Sequence, residues 1–579
     1  MHAAAVATRH NLRMNDPAQS ASGSAQSASQ DDVLILGGGL AGLTLALELR
    51  QRFPDISVRV LERRTHPVPR AAHKVGESTV EIGAHYFCNV LGLREHLETA
   101  QVRKFGFRFF FSEGRSDFQN VTELGVSRVL PTPSWQLDRG TFENYLGERA
   151  RAHGVVLEDG CTVRAIALGA GDALHEVRCE RGGETRVLRA RWLIDASGRA
   201  GLLKRQLGLA EENDHPIGAA WFRLDAKLEL DGWGDAEWRA RCVPPERWRS
   251  TNHLCGPGYW VWLIPLAGGA HSVGIVADPQ AHPIESFNTF ERALTWLRVH
   301  QPALAHTVES RRDSLLDFAY LRRVSYGCRQ VFSAQRWALT GEAGVFLDPF
   351  YSPGSDFIAM GNHYIVELIA RDRGRQPLAA HAEIFQGLYF SFYRNMLSLY
   401  QGQYALFGNA QVMPIKVTWD YTYYWGVLCP LGIGGRLTDL SLLSELRPQL
   451  EAAQALNLTL QKFFRDWHVV AAAHNPPVFL DQQKLDWFAQ LNADLHGRFD
   501  DAQARARLRA NVELLHALAG TIADLAAAQC PSLDVSALRA AAATRARPVL
   551  FAPAGERSGF APAQSAHAAV DADHLPIDV

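Results

Sequence analysis

Val33 to Leu36 form a short unbroken apolar run that predicts a buried strand. Gly37, Gly39 and Gly42 follow at G-x-G-x-x-G spacing, and Leu43 to Arg50 continues with the composition of a helix. A second apolar run, Val58 to Leu61, ends in Glu62. Two more strands of the same kind follow: Trp192 to Asp195 before Ala196-Ser197-Gly198, and Trp337 to Thr340 before Gly341-Glu342-Ala343. Between them the pattern predicts a short helix over 88–99, an aromatic strand from Phe105 to Phe111, and a helix from Thr141 to Ala152 entered through Trp135-Gln-Leu-Asp-Arg139. From about 217 to 277 the period changes to two. Trp260, Trp262 and Ile264 alternate with Val261 and Leu263, and Gly268-Gly269 turns the chain into His271 to Ala277, which is a hairpin signal. Beyond about 380 the spacing is helical. Leu456, Leu460, Phe463, Phe464 and Trp467 make one stripe, and Leu508, Val512, Leu515, Leu518, Ile522 and Leu525 another. The aromatic stretches Tyr389 to Tyr400 and Trp419 to Trp425 suit either core packing or the wall of an aromatic pocket.

This order of elements predicts an α/β fold: a Rossmann-like nucleotide-binding domain with an inserted antiparallel substrate sheet, followed by a mainly helical C-terminal region. The expected divisions are a disordered leader over 1–30, a core over 31–380 whose substrate sheet comes from about 100–137 and 217–330, a helical domain over 381–545, and a disordered tail over 546–579. The glycine turn suits a pyrophosphate, because backbone N–H groups at a helix N-terminus hold phosphate and a Cβ would block the approach. Glu62, about 20 residues past the last glycine, is placed to grip a ribose hydroxyl. Further candidate contacts at separate strand ends, Asp195, Gly341 and Glu342, suit FAD lying extended across the sheet, with Arg139 on the flavin side.

Composition narrows the partners. A formal net charge of −2 over 579 residues, with no basic stripe, offers nothing for nucleic acid. The eight cysteines are scattered without a C-x-x-C pair, which argues against a zinc site and against a disulfide framework and fits a reducing cytoplasm. The N-terminus has no signal-peptide core, and no run is long and apolar enough for a transmembrane segment.

Three stretches carry a resemblance. Trp260-Val-Trp262-Leu-Ile264-Pro265 reproduces W-x-W-x-I-P, Phe346 to Gly354 reproduces F-x-x-P-x-x-S-x-G through Pro349, Ser352 and Gly354, and Val75-Gly76-Glu77-Ser78-Thr79 matches V-G-E-[SA]-T. Together they resemble the flavin-dependent halogenases of the FAD-dependent monooxygenase superfamily. The resemblance implies that FAD, supplied reduced by a separate NAD(P)H flavin reductase, reacts with O₂ to a flavin hydroperoxide, and that halide (chloride or bromide) becomes hypohalous acid. A lysine guides that acid to an electron-rich aromatic ring, and Lys104 falls at the family's lysine position. Gly76, Glu77 and Ser78 lie near the flavin in such a protein. Trp260 and Trp262 keep substrate from the flavin, and Ser352 precedes the halide contacts. Tyr351 stands where tryptophan halogenases carry a glutamate, which points to a phenolic or similar substrate, free or bound to an acyl carrier protein. Pro353 lacks the N–H that would face halide, whereas Gly354 and Ser355 keep theirs. Asp356 brings a carboxylate close by. The alternative readings are a monooxygenase or dehydrogenase of the same fold without halide use, and a non-catalytic flavin-binding partner. No metal is expected.

Overall fold

The computed structural model of the chain describes residues 30–70, 74–542 and 547–551. The expected leader up to residue 29, and the expected tail apart from residues 547–551, lie outside the described residues.

The chain opens on β1 (Gln30–Leu36), the glycine turn, α1 (Leu40–Arg52) and β2 (Val58–Leu61). α2 (Glu81–His85) follows the V-G-E-S-T segment, then come β3 (Phe107–Phe110), β4 (Glu123–Gly125), α3 (Arg139–Ala152) and β5 (Val156–Glu158). A meander of β6 (Cys161–Ala167), β7 (His175–Arg181) and β8 (Glu184–Asp195) leads to β9 (Gly218–Leu224), β10 (Thr251–Gly256), β11 (Tyr259–Pro265) and β12 (His271–Ala277). α4 (Phe290–His300), β13 (Leu315–Leu321) and β14 (Trp337–Leu339) precede the helices α5 (Gly354–Arg373), α6 (Ala379–Ser398), α7 (Met413–Tyr423) and α8 (Leu440–Val470). β15 (Phe479–Asp481) and α9 (Asp501–Gln529) follow.

The first sheet has seven strands in the order β5-β2-β1-β8-β7-β6, with β14 also paired to β8. β5, β2, β1, β8 and β14 pair in parallel, so their C-terminal ends, carrying Gly37, Glu62, Ala196 and Gly341, open on one edge. That edge is where an α/β sheet holds its ligand. The second sheet has eight strands in the order β13-β9-β12-β11-β10-β3-β4-β15. The period-two reading of β11 separates two cores. Trp260, Trp262 and Ile264 face the large core shared with the first sheet. Tyr259, Val261 and Leu263 face a smaller one with Phe222, Trp238 and Trp296 of α4. Each such fully buried side chain contributes about 1.5–3 kcal/mol.

Three local features depart from expectation. The helix read over 88–99 is broken: a wide turn at Tyr86–Val90 gives way at Gly92, whose φ of +68° is left-handed, before a helix over Arg94–Ala100. α3 starts at Arg139 because the Asp138 carboxylate caps it by accepting from the Thr141 N–H at 2.9 Å. A segment of the helical region, β15, joins the substrate sheet in parallel with β4, and its three residues are too few to show a period. The helical stripes are core contacts: Leu460, Phe464, Trp467, Leu515, Leu518 and Ile522 are buried. Among the described residues no helix is long and apolar enough to cross a membrane, and no cluster of three or more His, Cys, Asp or Glu could hold a metal ion.

Candidate active site

A cavity of about 570 Å³ opens at the C-terminal edge of the first sheet, against the β11 face of the second. Its floor is the glycine turn. A Cβ on Gly37, where φ is +117°, would stand 2.3 Å from the Ala196 carbonyl oxygen, and one on Gly42 would stand 2.0 Å from the Gly37 oxygen. These two glycines close the strand–turn–helix packing. Gly39 faces open space, with nothing within 4 Å of where its Cβ would be. Gly39, Leu40 and Ala41 line the cavity at the N-terminus of α1, which has no side-chain cap. First-turn N–H groups left without intrahelical acceptors form a seat for phosphate.

Glu62 ends β2 beside this turn. One carboxylate oxygen accepts from the Gly38 N–H at 2.7 Å and the other from the Arg64 N–H at 2.8 Å. Gly341 and Glu342 line the cavity from the turn after β14, and Arg199 pairs with Glu342 at 3.0 Å. Arg139 lines it from the start of α3, where its guanidinium donates to the Val75 carbonyl at 2.6 Å and to Glu143 at 2.6 Å. Burial pulls the Arg139 guanidinium down from its usual range to about 10. Asp195 does not line the cavity. Its buried carboxylate accepts from the Ser197 and Leu203 N–H groups at 3.0 and 2.8 Å, so it holds the turn that carries Ala196 to Gly198. An extended nucleotide fits this surface: an open phosphate seat, a carboxylate at the β2 end, and a cavity of ligand size.

Gly76, Glu77 and Ser78 form the opposite wall. They are fixed by an arginine that sequence reading missed. Arg223 of β9 is buried and donates to Glu77 at 2.7 Å, to Asp317 of β13 at 2.6 Å, and to the Lys74 carbonyl. Trp260, Trp262, Pro349, Ser352 and Gly354 complete the wall. Trp260 donates its indole N–H to Tyr404 at 3.0 Å and Trp262 to Ser272 at 3.1 Å, so both rings are held in place.

Lys104 sits directly behind Ser78. It is 3% exposed, and its ammonium donates to the Ser78 hydroxyl and the Thr79 carbonyl at 3.0 Å each. The ammonium lies 3.4 Å from the centre of the Phe107 ring. Burial pushes the Lys104 ammonium down to about 7, opposed by the nearby carboxylates of Glu81 and Asp356. Beyond Phe107 the aromatic rings of Tyr351 and Tyr421 follow, and Tyr421 packs on Trp425 and Phe488. Lys104 therefore stands between the cavity wall and an aromatic cluster built partly by the helical region. Tyr351 does not line the cavity; its hydroxyl donates to Asp420 at 2.7 Å, and Asp420 pairs with Lys416.

The FAD binding domain model matches residues 30–241. Flavin-dependent halogenase chlA of Dictyostelium discoideum is 26% identical over 433 residues, 70% of this chain and 71% of that one. The 1H-pyrrole-2-carbonyl-(peptidyl-carrier protein) chlorinase of Pseudomonas fluorescens is 27% identical over 348 residues, 56% of this chain and 72% of that one. Over these spans the chain is similar to flavin-dependent halogenases. Halogenase PltM, solved with phloroglucinol and FAD, shares the fold, with a TM-score of 0.58 at 17% identity over 88% of this chain and 99% of that one.

The fold turns the Asp356 carboxylate away from the cavity. The carboxylate accepts from the Gly83 N–H of α2 at 2.8 Å and from the Tyr424 hydroxyl at 2.5 Å. Pro353 occupies the N-cap of α5, and Gly354 and Ser355 line the cavity with first-turn N–H groups. Burial pushes the Asp356 acid up to about 7, opposed by the hydrogen bonds from Tyr424 and Gly83, with Glu81 raising it further and Lys104 lowering it. The folded acid thus titrates above its ordinary value of 3.8. Its neutral form favours the fold at low pH, and stability is lost as pH rises through the window from 3.8 to about 7. Asp356→Asn is expected to stabilise the protein by about 1–3 kcal/mol at pH 8, with the gain vanishing near pH 4. Urea unfolding at the two pH values checks this.

Proposed function

We propose that the protein is a flavin-dependent halogenase that installs chlorine or bromine on an electron-rich, phenolic or pyrrole-like aromatic ring, using O₂ and FAD delivered reduced by a separate NAD(P)H flavin reductase. When bound, reduced FAD with O₂ supplies the oxidising equivalent that turns halide into hypohalous acid. Gly37, Gly39, Gly42 and Glu62 seat the nucleotide, and Arg139, Gly341 and Glu342 line the flavin's side of the cavity. The first-turn N–H groups of Gly354 and Ser355 receive halide. Lys104 holds the halogenating species by its ammonium and passes it to the ring. The observation that carries this reading is the buried Lys104, bonded to Ser78 of the cavity wall and backed by Phe107.

Tyr351, in the position before Ser352, hands its hydroxyl to Asp420 and presents no carboxylate. An electron-rich ring needs none there, because its own hydroxyl or ring nitrogen activates it. The carrier-protein substrate named for the pyrrole chlorinase, and the phloroglucinol bound to PltM, support such a ring, free or tethered. The test offers free phenols, free pyrroles and a carrier-bound pyrrole thioester to the enzyme with a flavin reductase, NADH and bromide. Mass spectrometry is expected to find a brominated phenol or pyrrole. Hydroxylated products alone would overturn the reading.

A further inference from the structure

A second cavity, of about 550 Å³, lies behind the first. Its rim is exposed at Asp214, Pro216, Gly402 and Leu458, whereas its floor residues His215 and Tyr404 are buried. Both floor residues reach the same atom. His215 Nε2 lies 2.8 Å from one carboxylate oxygen of Asp348, and the Tyr404 hydroxyl donates to that oxygen at 2.6 Å. The other oxygen of Asp348 accepts from the Phe350 N–H at 2.9 Å. Asp348 also lines the flavin cavity, as does Trp260, whose indole N–H donates to Tyr404. One layer of side chains therefore separates the two cavities, and its polar thread is His215–Asp348.

We propose that His215 and Asp348 are the proton inlet of the flavin cavity; this rests on the function proposed above. Reduced FAD, O₂, halide, an aromatic C–H and one proton balance to FAD, the aryl halide and two waters, so each turnover takes up one proton. His215 accepts a proton from water of the outer cavity at Nδ1 and releases the Nε2 proton to Asp348. Asp348, as the acid, gives it up on the flavin side and returns to carboxylate. Exchange with cavity water then resets the imidazole tautomer. The other ionisable groups around His215 are Tyr400 and Tyr404, with Asp214, Asp278 and Arg465 at the outer cavity. Histidine is the side chain suited to passing protons near neutral pH.

His215→Ala opens the cavity floor and His215→Gln keeps the volume. Both variants are expected to form halogenated product about tenfold or more slowly. Imidazole in the buffer is expected to restore the alanine variant saturably, and the glutamine variant hardly at all. A readout without turnover accompanies this: imidazole is expected to raise the melting temperature of the FAD-free alanine variant and not that of the parent. Imidazole that binds without restoring turnover makes His215 structural and overturns the inlet. Parent-level turnover in His215→Gln overturns it as well. A parent protein that halogenates nothing with either halide overturns the functional reading instead. Should the alanine variant not fold, the glutamine variant and its rate decide alone.

Discussion

Lys104→Ala is expected to lower halogenated product by about 10²- to 10⁴-fold, the scale of losing one positioned catalytic side chain, while FAD binding changes little. The side chain does not line the cavity that the glycine turn floors. Its bonds go to Ser78 and Thr79, and its neighbours are Phe107 and the carboxylates of Glu81 and Asp356. Removing it deletes the donor behind the cavity wall and leaves two buried acids without a cation, which drives them towards their neutral forms. Flavin fluorescence quenching measures the affinity and mass spectrometry the product. Lys104→Arg keeps a cation but spreads it over a planar fork that does not fit the same pair of acceptors, so it is expected to recover little. Retained product in the alanine variant would remove Lys104 from the chemistry. Product and FAD lost together would make it structural.

Arg223→Met is expected to destabilise the fold by about 3–5 kcal/mol, the cost of leaving buried charges uncompensated. Arg223 and its partners Glu77 and Asp317 are each about 2% exposed or less at the side chain. The same arginine pins the Lys74 carbonyl, so its loss frees the segment carrying Gly76, Glu77 and Ser78, and FAD affinity is expected to fall with stability. Urea unfolding of the FAD-free protein measures the first effect and flavin titration the second. Neutralising the partners as well, in Arg223→Met with Glu77→Gln and Asp317→Asn, is expected to recover part of the stability, because the main penalty is the stranded carboxylates. A loss below about 1 kcal/mol in the single variant would contradict the account of this ion triad.

What the sequence revealed depended on how local the physical cause was. The glycine turn was legible because a Cβ at Gly37 or Gly42 collides with backbone close in the chain or across one strand pair. Trp260 and Trp262 were legible as one face of a strand because alternation is set within a few residues. Lys104 was reached only through resemblance, since nothing beside it in the chain says that Glu81 and Asp356 will pack around it. Arg223 was missed for the same reason: its partners Glu77 and Asp317 lie 146 and 94 residues away. Asp195 was read as a cofactor contact because a carboxylate after a strand in this fold often faces the ligand. Here two N–H groups of its own turn claim it. The role of the helical region could not be read, because packing Tyr421 and Trp425 against the Lys104 side is a tertiary event that helical periodicity does not encode.

The most direct test of the central claim is halide dependence. The protein loaded with reduced FAD is mixed rapidly with O₂ in the presence of a phenol, with and without bromide or chloride, and both flavin absorbance and products are followed. The account predicts halogenated phenol only when halide is present, with halide also changing the rate at which oxidised flavin appears. Identical flavin traces with and without halide, and no halogenated phenol, would contradict it.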